Sequence, residues 1–252
     1  MSQRMRLLAL IISGLFLGSA YAEAIRTNFS VENRFPHWEQ LELGASYKGY
    51  GADSDSLAPD LGTTSIYARY GILSNLAAVV DLPWQSLSSN TGGSDENGLG
   101  DMKIGFQLLT YEDIFGYPYF IPHASFTLPT GDQDKGLGQD GVAVEVGLAY
   151  GSTINDWIEW VWDIGYTVNP DIENQFKLSN SYVWVLSPEF ALTTEIVYKD
   201  VVDGNDSTES QVLVSGGFSY LWNEKIQMDL SAGGGLTGPV DVFGEARISY
   251  SF

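Results

Sequence analysis

The sequence predicts an all-β fold: a transmembrane antiparallel up-and-down β-barrel of about twelve strands. Three observations carry this expectation. Apolar and polar residues alternate with period 2 in blocks of about ten residues, the length that a tilted membrane strand needs. After Ala22 no uninterrupted apolar run reaches the roughly 18 residues of a spanning helix. Trp, Tyr and Gly are abundant at 7, 14 and 28 residues while mean hydropathy stays near zero. That balance suits a wall with one lipid face and one wet face.

The chain starts with an address. Arg4 and Arg6 precede the uncharged apolar run Leu7 to Leu17, and Ala20-Tyr21-Ala22 fits a small-x-small cleavage pattern. Residues 1–22 are therefore read as a cleaved signal peptide. The run is too short to anchor the chain, since a spanning helix needs roughly 20 apolar residues. Residues 23–37 lack alternation and are expected to form an N-terminal periplasmic or lumenal segment, and residues 38–252 the barrel. Removing residues 1–22 from 252 leaves 230, enough for one barrel. It removes two of the 12 basic residues and none of the 32 acidic ones, so the remaining charge is 10 − 32 = −22. Such acidity argues against nucleic acid as a partner, and so none is expected, and against a basic patch for anionic lipid. The absence of cysteine excludes a disulfide scaffold and a thiolate metal site. No cofactor and no metal are expected.

The strands are expected at roughly 38–50, 62–72, 75–85, 98–110, 118–129, 141–153, 157–168, 174–186, 190–199, 210–221, 225–236 and 241–252. In the first, Leu41, Leu43, Ala45 and Tyr47 face lipid while Glu42, Gly44, Ser46 and Lys48 face the lumen. In the fourth, Met102, Ile104, Phe106 and Leu108 alternate with Asp101, Lys103, Gly105 and Gln107. The seventh sets Ile158, Trp160, Trp162, Ile164 and Tyr166 against Glu159, Val161, Asp163, Gly165 and Thr167. The eleventh sets Ile226, Met228, Leu230 and Ala232 against Gln227, Asp229, Ser231 and Gly233. Short turns at 73–75, 155–156, 187–189 and 223–224 alternate with longer polar loops at 51–61, 86–97, 130–140 and 200–209. Short turns belong to the periplasmic side and long loops to the outside, which puts both chain ends in the periplasm. Tyr70, Tyr111, Tyr117, Tyr119, Tyr150, Trp157, Trp184, Phe190, Tyr220 and Trp222 lie beside the short turns as an inner aromatic girdle. Trp84, Tyr166 and Tyr198 mark the outer rim. In the last strand Val242, Ala246, Ile248, Tyr250 and Phe252 alternate with Phe243, Glu245, Arg247, Ser249 and Ser251. Tyr250 and the terminal Phe252 look like the assembly signal read by barrel-assembly machinery.

Several short motifs resemble one family. Gly98-Leu99-Gly100-Asp101-Met102-Lys103-Ile104-Gly105 is similar to a strand start in the outer-membrane transporter family associated with the meta-pathway of phenol degradation. Leu128-Pro129-Thr130-Gly131-Asp132, followed by Gly136-Leu137-Gly138, resembles its second hallmark. Ala68-Arg69-Tyr70-Gly71-Ile72 resembles an early hairpin of that family and Leu186-Ser187-Pro188-Glu189 a later turn. The matches span about residues 60 to 252. The resemblance implies an exported outer-membrane barrel that passes hydrophobic or aromatic compounds.

Parity assigns the candidate lumen residues. Glu42, Asp101, Glu145, Glu159, Asp163, Glu195, Asp229 and Glu245 point inward, as do Lys48, Arg69, Lys103, Lys177 and Arg247. They make either a polar, net-negative conduit for cations and neutral solutes, or a set of ion pairs that fills a narrow lumen. His123 and Ser125 also point inward with Thr127, unless Pro122 introduces a bulge. An H-x-S pair raises the possibility of lipid hydrolysis. That chemistry needs the serine activated by the imidazole and the imidazole oriented by a third group, and no flanking signature supports it. Asp203, Asn205, Ser207 and Glu209 have calcium-loop-like spacing, but Thr208 stands where such a loop needs Gly. A solvated loop is the expectation there, with lipopolysaccharide and outer-membrane lipids as neighbours. The sequence thus points to a non-enzymatic, passive channel for an unspecified small solute. Its alternatives are a structural or surface barrel with a filled lumen and, less favoured, a lipid-acting enzyme.

Overall fold

The computed structural model describes residue 30 and residues 38–52, 60–88, 95–112, 118–155, 157–170, 174–202 and 209–252. The expected signal peptide, Tyr117, most of residues 23–37 and the calcium-like stretch 203–208 lie outside the described residues.

Among the described residues twelve strands form the wall. They are β1 (Leu41–Ala52), β2 (Asp60–Leu73), β3 (Leu76–Ser88), β4 (in three pieces, Glu96–Leu99, Met102–Leu108 and Tyr111–Glu112), β5 (Tyr119–Leu128), β6 (Ala143–Asn155), β7 (Ile158–Val168), β8 (Asn174–Ser187), β9 (Phe190–Val202), β10 (Glu209–Asn223), β11 (Ile226–Thr237) and β12 (Val240–Ser251). Each pairs antiparallel with its neighbours in the chain. β1 pairs with β12 from Glu42↔Ser251 to Gly51↔Val242, so the sheet has no free edge. The pieces of β4 remain tied to their neighbours. Gly100 N–H donates to the Pro83 carbonyl, Leu109 N–H to that of Asn75, and Thr110 N–H to that of Phe120.

Two-residue turns follow β2, β6, β8 and β10 at one end. Their side chains close them locally. Asn155 Oδ1 accepts from Trp157 N–H at 3.1 Å, and Asn223 Oδ1 accepts from Lys225 and Ile226 N–H at 2.9 Å. The longer connections gather at the other end, with two departures: β4 and β5 are joined at the short-turn end by residues 113–118, and one connection at the long-loop end is short. β11 and β12 are joined there by Gly238-Pro239, where Gly238 has φ 89°. Phe252 N–H donates to the Leu41 carbonyl, so β1 begins and β12 finishes at the short-turn end.

The period-2 pattern decides which face meets which solvent. Outward residues remain bare around the wall: Leu43, Ile66, Leu82, Phe106, Val146, Ile164, Ile196, Leu230 and Ile248 are all exposed. A band of that extent would be untenable in water and is the surface that hydrocarbon solvates. Asn180 is one of the polar residues on this face. With its amide oxygen turned to the indoles it accepts from Trp160 Nε1 at 2.9 Å and Trp162 Nε1 at 2.8 Å, which satisfies both donors without water. Tyr70, Tyr111, Trp157, Trp184, Tyr220 and Trp222 are exposed beside the short turns, as a girdle requires. Tyr119 does not join them. It shares the odd-numbered face of β5 with Ile121, His123 and Ser125 and is buried inside the barrel. The girdle expectation placed it by closeness to a turn, whereas strand parity overrides closeness.

A closed ladder of this kind resists detergent until it is boiled. The folded protein is expected to fractionate with outer membranes and to migrate faster on gels before heating than after. Recovery in the soluble periplasmic fraction, with one mobility, would contradict the barrel.

Candidate functional site: the lumen

The lumen begins with glycine. Tyr67 lies over Gly44, Tyr119 over Gly151, His123 over Gly147 and Phe243 over Gly233. Each pair is directly opposite across two strands. A Cβ on any of these glycines would collide with the ring. Because the glycine has no side chain, the ring can lie against the wall instead of projecting across the barrel.

Charged side chains occupy the space so released, and they alternate in sign around the wall. Lys48 Nζ lies 3.2 Å from Glu245, whose other oxygen takes Arg247 Nη2 at 2.8 Å. Arg247 stands opposite Asp229 in register, Arg69 opposite Glu42 and Lys103 opposite Asp81. Lys103 Nζ reaches Glu145 at 2.7 Å. Lys177 Nζ bridges Glu145 at 3.5 Å and Asp163 at 3.3 Å, and His123 Nε2 lies 2.9 Å from Asp163. Arg69 Nη2 donates to Gln107 and Gln227 Nε2 to Asp229, both at 2.8 Å. Opposite charges on facing strands are mutually stabilising, and a buried charge is tolerable only when so paired. Asp163 is the extreme case, with 0% exposure. Lys103 is the opposite case, its side chain 46% exposed within the barrel.

The candidates fall into five groups. Glu42, Arg69, Lys103, His123, Glu145, Lys177, Glu245 and Arg247 line one cavity of about 310 Å³. Lys48, Asp163 and Asp229 support it from behind as partners. Glu159 is buried, and Glu195 faces a different occupant. Ser30 N–H donates to Glu195 Oε1 at 3.2 Å. Its Oγ donates to the same oxygen at 3.1 Å and contacts Ser179 and Ser181 Oγ at 2.8 and 3.0 Å. The segment before β1 thus reaches the lumen at Ser30. Asp101 is turned away into the loop after β5. Sequence parity missed Asp81, which also lines the cavity, because β3 opens Leu76-Ala77-Ala78-Val79-Val80 with no polar residue to set its phase.

His123 and Ser125 are not hydrogen-bonded to each other. Pro122 causes no register shift in β5, so both point inward. The imidazole is engaged by Asp163, but Ser125 Oγ donates to Glu145 Oε2 at 3.2 Å and not to the imidazole. The imidazole is therefore not positioned to take the serine's proton.

A protein-family model described as "Putative MetA-pathway of phenol degradation" matches residues 41–252. The chain belongs to this family. No curated protein matches the sequence. Solved structures share the fold of this family member at low identity. The COG4313 outer membrane channel from Pseudomonas putida F1 is 14% identical, with a TM-score of 0.72 over 90% of this chain and 100% of that one. The KdgM porin is 10% identical, with a TM-score of 0.56 over 83% and 99%. The translocator domain of the autotransporter NalP from Neisseria meningitidis is 10% identical, with a TM-score of 0.56 over 99% and 98%. The first is named an outer membrane channel, and the exposed apolar band is what a membrane-spanning barrel of this fold presents to lipid.

The two motifs that carried the family resemblance touch each other. Asp101, from the break in β4, accepts Gly131 N–H on Oδ1 and Gln139 N–H on Oδ2, both at 2.8 Å. Thr130 Oγ1 accepts Met102 N–H at 2.8 Å and donates to the Gly100 carbonyl at 3.3 Å. Gly131 and Gly138 are packed so closely that a Cβ on either would collide with the other's backbone. The resemblance is therefore to a piece of tertiary structure as well as to a sequence pattern.

Proposed function

We propose that this family member is a passive outer-membrane channel for small molecules with an apolar, aromatic part and little net charge. It is exported by a cleaved signal peptide at residues 1–22 and carries out no chemistry on its solute. The observation that carries the reading is the character of the lumenal cavity. Tyr67, Val79 and Gly105 contribute an uncharged part of its lining. Charged residues interleave with these on the same strands, Asp81 opposite Tyr67 and Arg69 opposite Val79, and the lining as a whole sets Arg69, Lys103, Lys177 and Arg247 against Glu42, Asp81, Glu145 and Glu245, four cations against four carboxylates. The whole chain is strongly acidic, yet the cavity is balanced, which removes the reason to prefer cations. At about 310 Å³ it matches the lower end of small-ligand sites, roughly 300–1,000 Å³. The family's link to phenol degradation and the channel named among the similar structures agree with this reading.

The test is electrical. The refolded protein in planar bilayers should show a small conductance that a monohydroxylated aromatic reduces by occupying the cavity, while glucose at equal concentration does not. Absence of conductance would favour a filled lumen, for which Ser30 on Glu195 is the supporting contact. Lys103→Glu is the informative substitution, because that side chain is the half-exposed cation. It should shift the reversal potential toward cation selectivity, and an unchanged potential would place the current path elsewhere.

A further inference from the structure

The loop between β5 and β6, residues 129–142, does not rise away from the barrel. Its tip carries Leu137, which is only 2% exposed. The covering surface is the inner face of β3 and β4. Gly98 pairs with Gln85 while Leu99 pairs with the outward Trp84, so Gly98 faces inward. A Cβ on Gly98 would stand 3.0 Å from Leu137 Cδ1, and one on Gly136 would stand 3.7 Å from Leu87 Cδ1. Gly98 is thus the flat seat on which the leucine rests.

The loop is built to hold that shape. A single 3₁₀ turn, Gln133–Lys135, ends at Gly136 with φ 72°, a left-handed conformation suited to glycine. Leu137 N–H donates to the Asp132 carbonyl at 2.9 Å. The Asp101 carboxylate then fastens both arms of the loop, through Gly131 and Gln139, to the break in β4. Both bonds are charge-assisted and therefore stronger than neutral ones. One side chain controls the position of the whole inward fold.

The geometry points to residues 129–142 as a fixed sill across the outer mouth of the barrel, and to Asp101 as the positioning residue that holds it inward. Asp101 sets the width of the mouth without touching the solute, and Leu137 gives the sill an apolar edge. The consequence for passage rests on the channel reading above, whereas the clasp itself does not.

The chain contains no cysteine, so Leu137→Cys introduces a single thiol. In the refolded barrel this thiol should react slowly with a charged, membrane-impermeant maleimide. Adding Asp101→Ala should raise the labelling rate by roughly tenfold or more, because the loop opens locally while the wall stays folded. Asp101→Ala alone should raise single-channel conductance. Thr130→Val, which removes the neighbouring hydroxyl contacts and keeps the carboxylate, should change both readouts in the same direction by less. Asp132→Ala loses only a surface pair with Lys135 and should change neither. Equal labelling of Leu137→Cys with and without Asp101 would show that the carboxylate does not hold the loop. Faster labelling with unchanged conductance would show that the loop does not limit the mouth. Should no variant conduct, the channel reading falls and labelling still decides the clasp. Should Asp101→Ala yield no heat-modifiable barrel, Thr130→Val decides by the same two readouts.

Discussion

Lys177→Met is expected to lower the unfolding free energy of the barrel by about 3–5 kcal/mol, the cost of removing one partner from a buried ion pair. Lys177 sits between two carboxylates, 3.3 Å from Asp163 and 3.5 Å from Glu145. Its loss affects them unequally. Glu145 keeps Lys103 at 2.7 Å, whereas Asp163 keeps His123, which is charged only when protonated. Asp163 is wholly buried, so water cannot replace the missing cation. The cost should therefore trace to Asp163, and Asp163→Asn added to Lys177→Met should recover a substantial part of it. Urea unfolding of the refolded protein in lipid vesicles measures both values. A loss below about 1 kcal/mol, the level of an exposed pair, would show that this part of the charged belt is solvated. A double variant no more stable than the single one would show that the cost comes from Lys177's packing. Charge reversal at Asp163 or Glu159 tests the same property, since both side chains are buried and report on stability before selectivity.

The fold was legible because a barrel wall repeats one rule. Wherever polar and apolar residues alternate, as in Leu41 to Lys48 or Ile158 to Thr167, a residue's number gives its face, and the structure follows that parity. Legibility stopped where the rule lost its marker. The apolar opening of β3 hides the phase of Asp81, which its pairing with Tyr67 and Lys103 fixes. At Gly100-Asp101 the strand breaks, so an inward residue by alternation becomes a loop clasp. The partners themselves were beyond any local pattern. Asp163 and His123 lie 40 residues apart, and Asp101 and Gln139 lie 38 apart. Such contacts follow from strand order and stagger, which a single sequence does not encode in short windows. The motifs of the resemblance located the clasp without revealing it, since a pattern of Gly and Asp does not say which N–H the carboxylate meets.

Gly44→Val is expected to reduce single-channel conductance severalfold while leaving a folded barrel. Gly44 and Tyr67 face each other across β1 and β2, and the ring covers the space where a Cβ would stand. The three atoms nearest to that space all belong to the Tyr67 side chain. The ring can therefore rotate away, and the wall need not deform. The ring already lines the cavity, so its displacement is expected to narrow that space. A valine there would turn a wall ring into an obstruction, at an overpacking cost of roughly 1–3 kcal/mol that relaxation of the ring diminishes. Gly233 makes the contrasting control. A Cβ there would strike the Val214 carbonyl as well as the Phe243 ring, so Gly233→Val should reduce the yield of folded barrel. The decisive variant is the pair. Tyr67→Ala alone should raise conductance, and Gly44→Val combined with Tyr67→Ala should restore the current that Gly44→Val removed. If the double variant stays closed, the valine acts through the wall, and the cavity beside Tyr67 does not carry the current.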